Sequence, residues 1–127
     1  MLLVALLPRG LAQTSRPLRE RVPSADPKNY GAVKEGKDWR NPYLIVCANG
    51  IEVLGVTNTE SPITVDSVAP LLDGLPDSAW PYGLIAAVQD NGILSSERDR
   101  PLIEANRTQL IRLLNKLGIA IELWPSA

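Results

Sequence analysis

The chain has 127 residues, 45% hydrophobic and 21% charged, with a net charge of -1, which suits a globular domain with one modest core. It has no His and one Cys, Cys47; this excludes Ser-His-Asp and Cys-His triads, His-containing zinc sites and intramolecular disulfides. Residues 1–40 hold eight Lys/Arg against four Asp/Glu, residues 41–127 hold five against ten, and no cation falls between Asn41 and Glu97, so no nucleic-acid partner is expected.

Residues 1–12 open with an apolar run, Leu2 to Leu7. A bilayer span takes about 20 residues, so no stable membrane span is expected. Gly10 and Ala12 put small residues where a signal peptidase reads them, and cleavage after Ala12 with export to the periplasm or beyond is expected. The basic region that should precede the run is expected upstream of Met1, as in a truncated signal. The alternative is an apolar N-terminal strand or a frayed tail.

Residues 13–40 read as a linker. Pro17, Pro23 and Pro27 stand among many charges, a composition that disfavours packing. Its basic excess would suit a membrane surface or an acidic partner, and a solvated tether is the plainer reading. Trp39 is the residue placed to dock on the domain.

Residues 41–127 read as one domain. Tyr43–Ala48 and Ile51–Val56 flank Asn49-Gly50, a hairpin signal because both turn residues tolerate positive φ. A turn at those two residues sets Ala48 against Ile51, Val46 against Val53, and Cys47 against Glu52. Cys47 reads as a buried small hydrophobe rather than a reactive thiol. After a loop, Val65–Leu75 has Val68, Leu71, Leu72 and Leu75 on one helical face; Ser67 as cap would put Pro70 in the first turn. Tyr82–Val88 is apolar at successive positions, as in a strand covered on both sides. Gln89-Asp-Asn-Gly92 signals a turn and Ser95–Arg100 a charged loop. Pro101–Leu117 carries Ile103, Leu110, Leu113, Leu114 and Leu117 at helical spacing. Asp99 or Ser96 could cap it, and Gly118 should end it. Ile119, Ile121 and Leu123 then alternate with Ala120, Glu122 and Trp124 as one apolar strand face.

The order β-β-α-β-α-β predicts an α/β (α+β) fold: two layers, with a four-stranded mixed sheet and two helices. The expected core is Val46, Val53, Leu71, Leu72, Leu84, Ile85, Val88, Leu110, Leu114, Leu117, Ile119 and Ile121. Two helices cover one sheet face, yet Tyr43–Ala48 and Tyr82–Val88 are apolar on both. The second face needs a cover, either the linker around Val33–Trp39 folding back or a homodimer or partner protein, and the linker's few apolar residues favour the latter.

No spacing among Glu52, Glu60, Asp66, Asp73, Asp77, Asp90, Glu97, Asp99, Glu104 and Glu122 forces two carboxylates together, and Asp90-Asn-Gly92 reads as a turn before it reads as a ligand site. Asn106-Arg-Thr108 matches a glycosylation sequon but falls on the expected helix. No phosphate-binding Gly-rich loop is present. No catalytic residues, no cofactor and no metal are therefore assigned. The candidate binding surface is Trp80, Tyr82, Trp124, Ile45 and Leu54. The three aromatics form either an exposed recognition patch or caps on adjacent strand ends. The function this supports is a non-enzymatic exported or cell-envelope-associated domain that acts through protein binding; the competing class is a small carboxylate-dependent hydrolase.

The Asn49-Gly50 hairpin, the Val65-Asp-Ser-Val-Ala-Pro-Leu-Leu72 segment and the terminal helix and strand are together similar to the periplasmic domain of the ExbD/TolR accessory proteins of biopolymer transport. The whole also resembles many uncharacterised exported bacterial proteins. The first likeness implies the same element order after an N-terminal apolar segment. That family's transmembrane helix and its acidic residue have no counterpart in Met1–Leu7, so its function is not carried over.

Overall fold

A computed structural model describes residues 16–55, 59, 61–91 and 96–125; the signal-like segment expected over 1–12 lies outside them. The elements in chain order are α1 (Leu18–Arg21), α2 (Pro27–Tyr30), a 3-10 turn (Gly36–Asp38), β1 (Tyr43–Cys47), β2 (Gly50–Leu54), α3 (Val65–Asp73), a second 3-10 turn (Asp77–Ala79), β3 (Ile85–Asp90), α4 (Arg100–Leu117) and β4 (Ala120–Trp124). The fold is α+β, with a four-stranded mixed sheet in the order β2-β1-β3-β4. β1 pairs antiparallel with β2 and parallel with β3, which pairs parallel with β4. Among the described residues no helix is long and apolar enough to cross a membrane.

One sheet face carries Leu44, Val46, Ile51, Val53, Ala86 and Val88 against the buried sides of α3 and α4. Of the expected core, Leu71, Leu117 and Ile121 are half-buried and the other nine are buried. α4 ends at Gly118 in the left-handed conformation, with the Ile119 amide returning to the Leu114 carbonyl at 2.9 Å, the closure expected of a helix-ending glycine. Asp99 holds the cap position of α4, and its side chain makes no capping hydrogen bond to the helix.

Four local expectations are corrected. The hairpin turn is Ala48-Asn49, so Cys47 faces Gly50, Val46 faces Ile51 and Ile45 faces Glu52. This is a shift of two in the partner strand, which leaves every side chain on its expected face. Gly50 belongs to the strand because residues 62–63 pass over it: a Cβ there would lie 2.3 Å from the Ile63 carbonyl oxygen. α3 starts at Val65 after Thr64, not after Ser67, so Pro70 lies inside the helix. That start buries Val65 with Val68 and Leu72, and the carbonyl left without an amide partner belongs to Asp66, an exposed residue that water can reach.

β3 is displaced toward its C-terminus. It begins at Ile85 and runs through Gln89 and Asp90, where a turn was expected. Gly83 has φ +89, and a side chain there would meet the Ser24 carbonyl oxygen at 2.6 Å, so the backbone kinks before the strand can start. In β4 the apolar alternation stops short: Leu123 is 63% exposed, because β4 is an edge strand and α4 packs over its other end.

The segment expected as a linker is part of the fold. Leu18 and Val22, at i and i+4, are buried in the helix-side core. Arg21 lies against the end of α3, bonding the Asp73 carbonyl at 2.8 Å and the Asp77 carboxylate at 2.6 Å. The Pro23 carbonyl then accepts from the Leu84 amide at 2.9 Å, Ser24 bridges Leu84, and the chain crosses to the second sheet face. There Ala25, Tyr30, Val33 and Trp39 pack with Tyr82, Ile85, Ala87, Tyr43 and Trp124. The cover expected from a second copy or a partner is thus supplied, over β3 and its neighbours, by the chain's own residues 25–39.

Asn41 joins these parts. It is fully buried, donates to the Gly83 and Ile85 carbonyls at 2.7 and 2.8 Å, and accepts from the Tyr82 amide at 2.9 Å. Asn41→Ala removes three buried hydrogen bonds, leaving the Gly83 carbonyl only the Ile85 amide at 2.9 Å, and is expected to lower stability by about 3 kcal/mol, read as a reduced urea midpoint at unchanged m value. A second comparison isolates one hydrogen bond. Trp39 Nε1 donates to the Pro42 carbonyl at 3.0 Å, whereas the buried Trp80 Nε1 has no partner among the described residues. Trp39→Phe is expected to destabilise by about 1 kcal/mol more than Trp80→Phe in parallel denaturant titrations.

Candidate functional site

Two open clefts of distinct chemistry stand out among the described residues, one at an end of the sheet and one on its second face. The first lies where β1 and β3 end and α4 begins. It is lined by Cys47, Glu52, Asn91 and Asp99, with Asn49, Pro62 and Ile103 around them, and has a volume of about 320 Å³. The chain reaches this geometry because two parallel strands finish side by side, the usual position of ligand crevices in α/β sheets. Asn106 holds the strand end from below, donating to the Cys47 and Ala48 carbonyls at 2.8 and 3.1 Å. The side-chain nitrogen of the sequon is thereby engaged in the fold. Asp90 is held by an ion pair with Arg107.

The cleft brings two carboxylates and a thiol together, and the surroundings of the thiol disfavour its use as a nucleophile. Burial, above all, pushes the Cys47 thiol up from its ordinary value; Glu52 adds to this and a hydrogen bond to Asn91 opposes it. A catalytic cysteine needs the reverse. Among the described residues no three of Cys, Asp and Glu are placed to hold a metal ion.

The second cleft lies on the second sheet face, beside residues 25–39, which form a strap across it. Val33, Lys34 and Gly36 of the strap face Tyr43, Gln89, Glu122, Trp124 and Pro125 across a volume of about 350 Å³. Its floor is aromatic. Tyr43 and Trp124 meet edge to face with centroids 5.3 Å apart, and Trp124 continues to Trp39 at 5.6 Å, which meets Tyr82 at 4.9 Å and Tyr30 at 5.8 Å. Gly36 fits closely here: a Cβ would come within 2.7 Å of the Tyr43 ring, which would then have to shift. Gln89 ties the floor to the chain end: its amide donates to the Pro125 carbonyl at 2.8 Å and its oxygen accepts from the Tyr43 hydroxyl.

The residues named as a binding surface separate into three groups. Trp80 is 3% exposed and belongs to the helix-side core, across the sheet from the others. Tyr82 is 8% exposed in the second-face cluster, with its hydroxyl donating to the Asp38 carbonyl and accepting from the Arg40 amide. Trp124, Ile45 and Leu54 are half-buried. These last three share the second face: Leu54 is opposite Tyr43 in the ladder, Ile45 opposite Gln89, and Gln89 opposite Trp124. Tyr30, Tyr43, Lys34 and Glu122 also belong to this surface and were not expected there. Tyr43 was legible from strand alternation with Ile45; Tyr30 and Lys34 lie in the segment expected as a linker and gave no local signal.

No known protein family matches the chain, and neither a curated protein nor a solved structure was found to be similar to it. The clefts are therefore read from their own chemistry, and the two differ in kind: a polar notch around a protonated thiol, and an aromatic floor beside half-buried aliphatic residues.

The raised thiol value has a consequence for pH. The fold favours the protonated form, so this contribution to stability is fully present below the ordinary thiol value of about 8.5 and is lost as pH rises through the higher folded value. Burial raises the Tyr43 hydroxyl in the same sense at more alkaline pH. Stability is expected to fall on the alkaline side, and Cys47→Ala is expected to reduce the first part of that fall, measured by urea midpoints across the alkaline range. Iodoacetamide should modify Cys47 slowly in the native chain and rapidly in denaturant.

Proposed function

We propose that this chain is a non-enzymatic, exported or envelope-associated domain that acts by binding another protein, and that it binds through the second sheet face at Tyr43, Trp124, Ile45 and Leu54. The observation that carries the reading is the division of that face. The strap from Ala25 to Trp39 packs on Ile85 and Ala87, while Ile45 and Leu54, toward the β2 side, stay half-exposed beside the aromatic floor. Aromatic and aliphatic residues presented on a rigid sheet are the composition of interface centres, where rings contribute large contact area at little conformational cost. The export part of the proposal is supported by the Leu2–Leu7 run with Gly10 and Ala12 after it. The raised Cys47 thiol argues against a cysteine nucleophile at the other cleft.

Crosslinking in cells tests the reading. A photoreactive amino acid is placed at position 124 and, separately, at Arg112, an exposed position on α4. Discrete protein adducts are expected from position 124 and not from 112. Adducts absent from 124, or equal from both, would overturn it.

A further inference from the structure

The two edges of the sheet are unlike each other. At the β2 edge the chain covers itself: Ile51 exchanges backbone hydrogen bonds with Ile63 at 2.8 and 2.9 Å, and the Thr59 amide donates to the Val53 carbonyl at 3.0 Å. β4, at the other edge, has β3 as its only strand neighbour among the described residues. The Ala120 amide donates to Leu84, and parallel pairing alternates residue by residue. Ala120, Glu122 and Trp124 therefore direct their amide and carbonyl groups at β3, and Ile121 and Leu123 direct theirs outward. Among the described residues no chain segment takes up these outward groups. An unpaired edge of this kind is a template for another strand.

Resting on the protein-binding reading, we propose that the partner adds an extended strand beside β4, with an apolar–cationic–apolar pattern whose Lys or Arg lies opposite Glu122. Side-chain alternation sets this pattern. A residue opposite Glu122 shares the second face with Glu122 and Trp124, so a cation there meets the carboxylate and can lay its aliphatic stem or charge against the indole. The residues on either side point to the helix side of the sheet, next to Ile121 and the 63% exposed Leu123, and apolar side chains there remove Leu123 from water.

The same residue argues against a second copy. Two β4 strands related by a twofold axis use the outward groups most fully when Ile121 of one faces Leu123 of the other. That register sets Glu122 against Glu122 in a pair without mutual hydrogen bonds, where side chains approach most closely, and like charges directly opposite are unfavourable. Moving the axis to Leu123 brings Pro125 opposite Ile121, and Pro has no amide to donate. Glu122 therefore disfavours self-pairing and favours a cationic strand.

The probes are short synthetic peptides alternating Thr and Val around a central Lys, the same peptide with Glu at the centre, and the Lys peptide N-methylated at its pairing amides. Backbone hydrogen exchange is followed by NMR on the full chain. In the free protein the Ile121 and Leu123 amides should exchange fast and those of Glu122 and Trp124 slowly. The Lys peptide should slow Ile121 and Leu123 and bind about fivefold more tightly than the Glu peptide. The methylated peptide should not protect them, and Glu122→Lys should reverse the preference between the first two peptides. Failure of every peptide to protect Ile121 and Leu123, or equal binding of the Lys and Glu peptides, overturns the proposal. Concentration-dependent protection of those amides without peptide overturns it in favour of a second copy. Should position 124 form protein adducts in cells while Ile121 and Leu123 remain unprotected, the binding reading stands and strand addition fails.

Discussion

The buried side chain of Asn41 is the joint on which the fold depends. It lies just before β1, and its amide and carbonyl reach the stretch that leads into β3, at Tyr82, Gly83 and Ile85. β1 and β3 are far apart in sequence and must pair in parallel, which no short turn can enforce. Three hydrogen bonds from one buried side chain fix where that pairing begins. They also fix the kink at Gly83, and the kink is what lets Ser24 and Ala25 pass close to the backbone on their way to the second face. An aliphatic residue of similar size would satisfy none of these backbone groups, and buried backbone groups are rarely left unpaired. Register, kink and strap crossing are thus consequences of one polar contact in an otherwise apolar region.

How much of this could be read from the sequence depends on how local each signal is. α4 was legible because its stripe of Ile103, Leu110 and Leu114 and its glycine stop lie within one element. The faces of the hairpin strands were legible for the same reason, even though the turn was placed one residue late: shifting a two-residue turn by one position changes register by two and preserves the alternation. The start of β3 was not legible, because Tyr82 and Leu84 look like strand residues and only the approach of Ser24 makes Gly83 bend. The docking of Leu18 and Val22 was legible in principle from their i, i+4 spacing, but two apolar residues among prolines and charges fall below what composition can distinguish from a tether. The candidate surface was half legible: Trp124, Ile45 and Leu54 do share a face, while Trp80 takes the opposite side of the sheet through the irregular turn at Asp77–Ala79.

The two edges of the sheet also differ in a way that follows from its connections. After β2 the chain brings Thr59 and Ile63 back along its outer edge, so that edge is covered by the chain itself. β4 is the last strand in chain order among the described residues, which run on through Pro125 after it. Its outer edge is left to short length and one acidic side chain for protection, two of the ordinary ways a natural sheet blunts an edge. The aromatic floor, the exposed Leu123 and the open edge therefore fall together at one side of the molecule, because that side is where the strand order ends.

The cover of the second face shows why counting apolar residues misleads. Residues 25–39 contain few of them, and on that count they looked unable to bury a sheet face. Tyr30 and Trp39 are aromatic, however, and an aromatic ring buries about 150–250 Å², so two rings with Val33 and Ala25 replace a longer aliphatic strip. At about 25 cal/mol per Å² of apolar surface, each ring contributes several kcal/mol before the entropy of ordering the strap is subtracted. The prolines reduce that entropy, since Pro23 and Pro27 restrict the unfolded chain as well as the folded one. The features that marked this segment as a tether, its prolines and its scarcity of aliphatic residues, are thus compatible with an economical strap. Such a strap covers β3 and reaches Tyr43 of β1 and Trp124 of β4, and the half-exposed Ile45 and Leu54 lie where its coverage stops.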